Sequence, residues 1–280
     1  MASPSAPVAP AAVNAEEMKS KVAELLPSFK EKLGAAADGV SDATLMKFLM
    51  WKPYVDRAVG RFHDHVKWRN ENPFAFDATP LQASKDDDLR RVLEGEVLIA
   101  PDGLTAKDGS TLLIGRLRNN DMSDGRTVED VVRMFLYNID RVLERESTQL
   151  HGITIFHDMI DVGKNNVNVN IPKLLFRAII GHFPVRITAA YILNAPMFVR
   201  ALFKVVSLAF PSKVRNRIHF VSSLEDVLQF IDQEKLLEEH GGQLKHDQKA
   251  WVAKQVEREM DNTMESLADC VKQNLIEKAG

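Results

Sequence analysis

At 280 residues, with 45% apolar side chains and a formal charge of −3, the chain can build one large domain, or a domain with an appendage, around a sizeable core. That charge argues against nucleic acid as a bulk partner. Cys270 is the one cysteine. It excludes an internal disulfide and a Cys-rich metal site, and it favours a reducing, cytosolic compartment.

The opening stretch, MASPSAPVAPAAVNAEE, has no basic region followed by an apolar core. It reads as a disordered lead-in over residues 1–15 and not as a secretory signal. An all-helical module follows over 16–85. Residues 16–33 and 42–70 are predicted helical, with Ser41-Asp42 as a cap. Leu45, Phe48 and Leu49, then Val55, Ala58, Val59, Phe62 and Val66, recur at three-to-four spacing. Pro53 breaks this run into a helix pair, and Asn72-Pro73 closes it.

From about residue 90 strands alternate with helices. TLLIGRL (111–117) reads as a buried strand and 127–147 as a helix. ITIFHDMI (153–160) is the next strand, and Pro172 opens a helix to about Gly181. RITAAYILN (186–194) is a strand, 196–210 a helix, RIHFVSS (217–223) a strand and 224–231 a helix. This order predicts an α/β fold, with a mostly parallel, twisted sheet covered by flanking helices over 90–245. A last helix over 247–278 carries the stripe Val252, Val256, Met260, Met264, Leu267, Val271 and Leu275, so it is expected to pack on the body.

The helix PMFVRALFKVVSLAFP (196–211) is apolar nearly all round; Arg200, Lys204 and Ser207 form one narrow polar stripe. Fully burying one such apolar side chain stabilises by about 1.5–3 kcal/mol, so something must cover both faces. A second protein layer, an oligomer interface, or a ligand on one side with a membrane on the other would each do so. The run is too short to span a bilayer: 14 residues measure roughly 21 Å against about 30 Å of hydrocarbon.

The stretch 183–242 resembles the core of the CRAL-TRIO lipid-binding domain. The markers are Phe183-Pro184 before a basic strand, the Asn194-Ala195-Pro196 turn, the apolar helix, Arg217-Ile218-His219 and Gly241-Gly242. Upstream, LMKFLMWKPYVDRAVGRFHDHVKWRNENP (45–73) is similar to that family's N-terminal module, and the whole looks nearest the branch of alpha-tocopherol transfer protein and cellular retinaldehyde-binding protein. The resemblance implies a bowl with a sheet floor, a lid helix at 196–210, and one hydrophobic molecule inside. It also implies transfer of that molecule between membranes by lid opening. No cofactor is expected beyond a non-covalent lipophilic ligand, and the classes left open are tocopherol, retinoid, carotenoid, sterol and phospholipid.

Alternation puts Ile153, Ile155 and His157 on the implied cavity side of their strand. Val132, Phe135 and Ile139 come from the helix 127–147, and Leu175, Ala178, Ile179 and Phe183 from the next. Phe198, Val199, Leu202, Phe203, Val206 and Phe210 come from the lid, and Tyr191 and His182 are further polar candidates. His157 departs from its family counterparts, which tend to be apolar, and is placed either to hydrogen-bond cargo or to be satisfied in the core. The resemblance also assigns Arg186, Lys213 and Arg217 to phosphoinositide head groups, with Arg215 and Lys52 as additions, although Thr188 stands where the family has a further cation. Phe198, Leu202 and Val205 are the lid residues expected to meet the membrane.

Two other functions compete. A lipid-sensing scaffold at a phosphoinositide membrane shares every one of these features. An α/β hydrolase lacks a G-x-S-x-G elbow here, and phosphate-loop and dinucleotide fingerprints are missing as well. His157 and Asp158 point to opposite faces of one strand, so they do not share a catalytic or metal site. The chain is therefore read as a cytoplasmic, reversibly membrane-associated protein that is not an enzyme, with no metal and no nucleic acid.

Overall fold

The computed structural model describes residues 14–73, 81–264, 266, 267 and 270. Most of the lead-in expected over 1–15, and residues 74–80 of the N-terminal module, lie outside them. The first helix, α1 (Ala15–Leu33), starts where the Asn14 side chain accepts the Glu17 N–H. Ser41 caps α2 (Asp42–Trp51) by accepting the Thr44 N–H at 3.1 Å. Pro53 separates it from α3 (Val55–Glu71). Phe48 and Phe62 meet between these two helices at 5.3 Å.

The body begins with α4 (Asp87–Glu94) and β1 (Leu98–Ile99), a strand too short for periodicity to reveal. Then come β2 (Thr111–Gly115), α5 (Val128–Val142), α6 (Glu146–His151) and β3 (Ile153–Asp158). The helix expected over 127–147 is thus two helices. Its last turn tightens into three-residue bonds, Glu144 N–H to the Arg141 carbonyl and Arg145 N–H to that of Val142, and the chain turns there. The series continues with α7 (Asn170–His182), β4 (Ile187–Leu193), α8 (Met197–Val206), the short α9 (Ser212–Arg215), β5 (Ile218–Phe220) and α10 (Leu224–Leu228).

The five strands lie in chain order, β1-β2-β3-β4-β5. β1 is antiparallel to β2, and every other pair is parallel. Right-handed crossovers between parallel strands taken in sequence all pass on one side of the sheet. That side therefore receives α5, α7 and α8. The opposite face is closed by the segment after β5, whose Val227, Ile231, Leu236 and Leu237 pack on Leu112, Ile114, Phe156 and Tyr191.

The N-terminal helices dock on α7 and the residue after it. Phe183 is fully buried between His65, at 4.8 Å, and Trp68, at 5.8 Å. His182 stacks on Trp68, and Arg61 donates to the Ile180 carbonyl at 3.0 Å.

The last described helix, α11 (Gln248–Met260), buries Trp251 and Val252. It does not run through 247–278 as expected. Asp261 is its C-cap and Asn262 turns into the left-handed region at φ 52°. The run Asp261-Asn262-Thr263 places three side chains that compete for backbone bonds at the point where the helix would have to continue. Beyond Met264, only residues 266, 267 and 270 of the expected helix are among those described.

Candidate functional site: an apolar cavity beneath a two-faced helix

Between the sheet and its crossover helices lies a cavity of about 230 Å³. For scale, a dry engineered apolar cavity of about 150 Å³ accepts benzene. Strand register builds its floor. Gly115, His157, Ile192 and Phe220 form one row across β2–β5, and Leu113, Ile155, Ala190 and Ile218 another. From these rows Ile155, His157, Ala190, Ile192, Ile218 and Phe220 reach the cavity. The alternate row, Ile114, Phe156, Tyr191 and His219, faces the other way. Val131 and Phe135 of α5 form one side. Ile171, Leu175, Phe176 and Ile179 of α7 form another, and Val199, Leu202, Phe203 and Val206 of α8, with Phe210, form the roof.

Ten of the residues singled out in the sequence therefore meet on this wall: Phe135, Ile155, His157, Leu175, Ile179, Val199, Leu202, Phe203, Val206 and Phe210. Others lie elsewhere. Val132 and Ile139 are buried on α5 but stand off the wall, which takes the i, i+4 pair Val131 and Phe135. Ile153, at the start of its strand, and Ala178 join the main core. Phe183 serves the contact with the N-terminal module described above.

Tyr191 is corrected to the opposite face, where it stacks on Phe230 at 4.3 Å and His219 at 5.4 Å. Phe198 packs beside Met159, Val162, Ile192 and Val199, and Leu202, half-buried, lines the cavity. Sequence reasoning missed the polar wall residues Asn120, Asn166 and Asn168, which sit in turns where nothing marks an inward-pointing asparagine.

The roof helix has two distinct faces. Outward it presents Met197, 86% exposed, Val205, 68%, and Leu208, 78%. With exposed Ala201 these lie at i, i+4, i+8 and i+11, one stripe. Arg200 and Lys204 flank it, also exposed.

The two ends of the roof are held differently. At its start Asn194 adopts a left-handed φ of 55° and donates to the Asp158 carboxylate at 2.9 Å. That buried carboxylate also accepts the Ile160 N–H at 3.0 Å and pairs with His240 at 2.9 Å. Burial alone would raise the Asp158 pKa, but His240, Asn194 and the Ile160 N–H hold it below the usual carboxylate range. At the far end Phe210 packs on Phe176 at 4.0 Å, and Arg215 donates to the Ser207 and Phe210 carbonyls.

His157 is held by a close approach. Its ring lies against Gly115, where an added Cβ would fall 1.8 Å from Nδ1; only glycine admits it. Burial pushes the imidazole down to about 4, with the Gly115 backbone acting the other way. A histidine whose folded pKa is depressed leaves stability intact above its unfolded value of about 6.5. Stability is then lost as pH falls from about 6.5 toward 4, because the unfolded chain takes up the proton first.

Buried His65 has its pKa lowered by burial and by Arg69, so it contributes in the same window. The difference between wild type and His157→Phe isolates the cavity histidine. Urea unfolding at pH 7.5 and 4.5 is expected to show wild type losing roughly 2–3 kcal/mol more than the variant. Equal losses would mean that His157 does not stay neutral.

The cations expected at head groups are already engaged in part. Arg186 donates to the Gln149 and Leu150 carbonyls, and Arg217 to that of Ile187. Thr188 donates to the His151 carbonyl. Two like-charged neighbourhoods remain. Burial and then Arg217 lower the pKa of Arg186. Burial, then Lys213, Arg57 and Arg61, lower that of Lys52. Among the described residues no helix is long and apolar enough to cross a membrane.

The sequence is 27% identical to human tyrosine-protein phosphatase non-receptor type 9 over 208 residues, 74% of this chain and 34% of the phosphatase. It spans about a third of that relative's length. It is 28% identical to human clavesin-2 over 236 residues, 81% of this chain and 70% of clavesin-2. Among solved structures it aligns with Sfh5 at a TM-score of 0.49 and 15% identity, over 86% of this chain and 90% of that one. Residues 104–242, which run from before β2 through the segment that closes the far face of the sheet, match the CRAL/TRIO domain, and this part of the chain is assigned to that family.

Proposed function

We propose that the chain carries one hydrophobic molecule in the cavity and exchanges it at membranes by displacement of α8. Membership of a lipid-binding and transfer family supports the general class. The observation that carries the finer reading is the roof helix, apolar toward the cavity and apolar again toward solvent. In water the closed helix buries only its inner face, and an interface that buries its outer stripe offsets the loss of those inner contacts on opening. The cations beside the stripe, and the Lys52/Lys213 and Arg186/Arg217 neighbourhoods, favour an anionic, phosphoinositide-containing surface. No covalent chemistry is required, and the reading makes the protein peripheral to membranes in the cytoplasm.

Organic extraction of purified protein, followed by mass spectrometry, is expected to release one lipophile in near-stoichiometric amount. Protein that emerges empty even after incubation with mixed-lipid vesicles would overturn the reading. A sensor that holds cargo without moving it is the second reading; it is favoured by the phosphatase relative, of which the matching region forms only a part. Movement of a fluorescent lipid from donor to acceptor vesicles at catalytic amounts of protein decides between them: acceleration supports a carrier, and tight retention a sensor.

A further inference from the structure

The geometry points to a hydroxyl-recognition site at one end of the cavity, formed by Asn120 and His157, that selects a neutral lipid alcohol over hydrocarbons, aldehydes, carboxylates and phosphate esters. This rests on the carrier reading above and narrows its cargo.

Among the described residues four polar ones reach the wall: Asn120, His157, Asn166 and Asn168. Two of them commit their side-chain oxygens to the protein. Asn166 accepts the Gly163 N–H at 2.8 Å and donates to the Arg118 and Asn120 carbonyls. Asn168 accepts the Asn170 N–H at 2.9 Å. The other two are left incomplete. Asn120 is fully buried, and its Nδ2 donates to the Asn166 carbonyl at 3.0 Å. That bond fixes which way the amide faces, because only the N–H₂ end can donate. Among the described residues its Oδ1 has no hydrogen-bond partner, and neither does His157 Nδ1, which lies against the Gly115 backbone without a well-formed bond to it.

Unmet polar groups inside a folded protein are uncommon and call for an explanation. Here both belong to the end of one cavity where β2 and β3 finish. Asn120 follows β2 and is tied to the turn after β3; His157 is the penultimate residue of β3.

The chemistry of the missing partner follows from what these atoms can do. Asn120 Oδ1 accepts and cannot donate, so the guest must bring an O–H or N–H. An aldehyde, ketone or ether brings none. Among the described residues no Lys or Arg lies on the wall, so a carboxylate or phosphate would meet no counter-charge and would face the bare amide oxygen. Among the same residues no Asp or Glu lies there either, which disfavours an amine. A hydroxyl fits both groups at once: its proton goes to Asn120 Oδ1, and its oxygen accepts from an N–H of the neutral imidazole. The rest of the guest needs only apolar bulk.

Displacement of the hydrocarbon fluorophore diphenylhexatriene from the full chain tests this with dodecan-1-ol, methyl dodecyl ether, dodecanal and dodecanoate. The alcohol is expected to bind roughly tenfold more tightly than the ether, with dodecanal like the ether and dodecanoate weakest. In Asn120→Leu and in His157→Phe the alcohol-to-ether ratio should fall toward one while the ether's own affinity persists. That persistence shows the cavity intact in each variant. Equal binding of alcohol and ether by wild type, or a ratio that survives both substitutions, overturns the hydroxyl site and leaves the carrier reading standing. If neither the fluorophore nor any of the four guests binds, the carrier reading itself fails.

Discussion

A triple variant carrying Met197→Asp, Val205→Asp and Leu208→Asp binds anionic vesicles roughly 100-fold more weakly than wild type, with an unchanged melting temperature. The size follows from partial burial of three large apolar side chains, about 1 kcal/mol each at interfacial depth, where about 1.4 kcal/mol corresponds to tenfold. The unchanged stability follows from their exposure of 86%, 68% and 78%, since no core contact is removed. Three added carboxylates also oppose an anionic surface. Leu202→Asp is a different experiment despite its place on the same helix. Leu202 lines the cavity, so a charge there compromises guest binding and closure together. Co-sedimentation across a salt series separates the apolar part from the cationic part contributed by Arg200 and Lys204, because only the latter is screened. Wild-type binding by the triple variant would remove the membrane role of this face.

Asp158→Ala is expected to cost about 3 kcal/mol of unfolding free energy, in line with about 1–3 kcal/mol for each buried polar group left without its partner. One carboxylate serves three groups here: the Ile160 N–H, the Asn194 amide and His240 Nε2. Deletion strands all of them. Asp158→Asn should be milder, because its oxygen still serves Ile160 and Asn194 and its amide keeps a polar group opposite His240. The pH dependence has a definite sign. The folded pKa is depressed, so the stabilisation is present above about 3.9, the unfolded value, and is lost as pH falls through the lower folded value.

Because Asn194 is the left-handed residue just before α8, Asp158→Ala should also speed amide exchange over 195–200 more than elsewhere in the sheet. Urea midpoints and exchange mass spectrometry check the two parts. A wild-type midpoint for Asp158→Ala would show that the contact contributes nothing net.

How much of this was legible from residues depended on parity and period. In β3, alternation put Ile155 and His157 on one face and Phe156 on the other, as the register has it, and the family resemblance said which face meets the cavity. In β4 the same rule was available, but Tyr191 was judged by its polarity and not by its pairing with Phe156. The side it faces is decided by a neighbouring strand and by a bulge between Ile153 and Thr154, both non-local. On α5 the apolar surface is wide enough that several stripes fit the sequence. Packing selected Val131 with Phe135 over Val132, a rotation of one residue that helical periodicity does not resolve. The two faces of α8 were legible because nearly every position there is apolar, whereas its last turn, 207–209, tightens into a 3₁₀ form. Asn120 was illegible: it sits in a polar stretch, RNNDMSDG, that reads as an ordinary loop, and only the fold turns its amide inward.

The strands of this sheet follow one another in chain order, so the chamber is bounded largely by the connections between strands. The spans 160–186 and 194–217 supply its side and its ceiling, while the hydrogen-bonded ladder lies beneath them. Insertions, or exchange of those two spans with the matching ones of a relative, would resize the interior and leave the ladder as it is. Guest preference in this architecture is modular, and it can diverge faster than the frame that holds it.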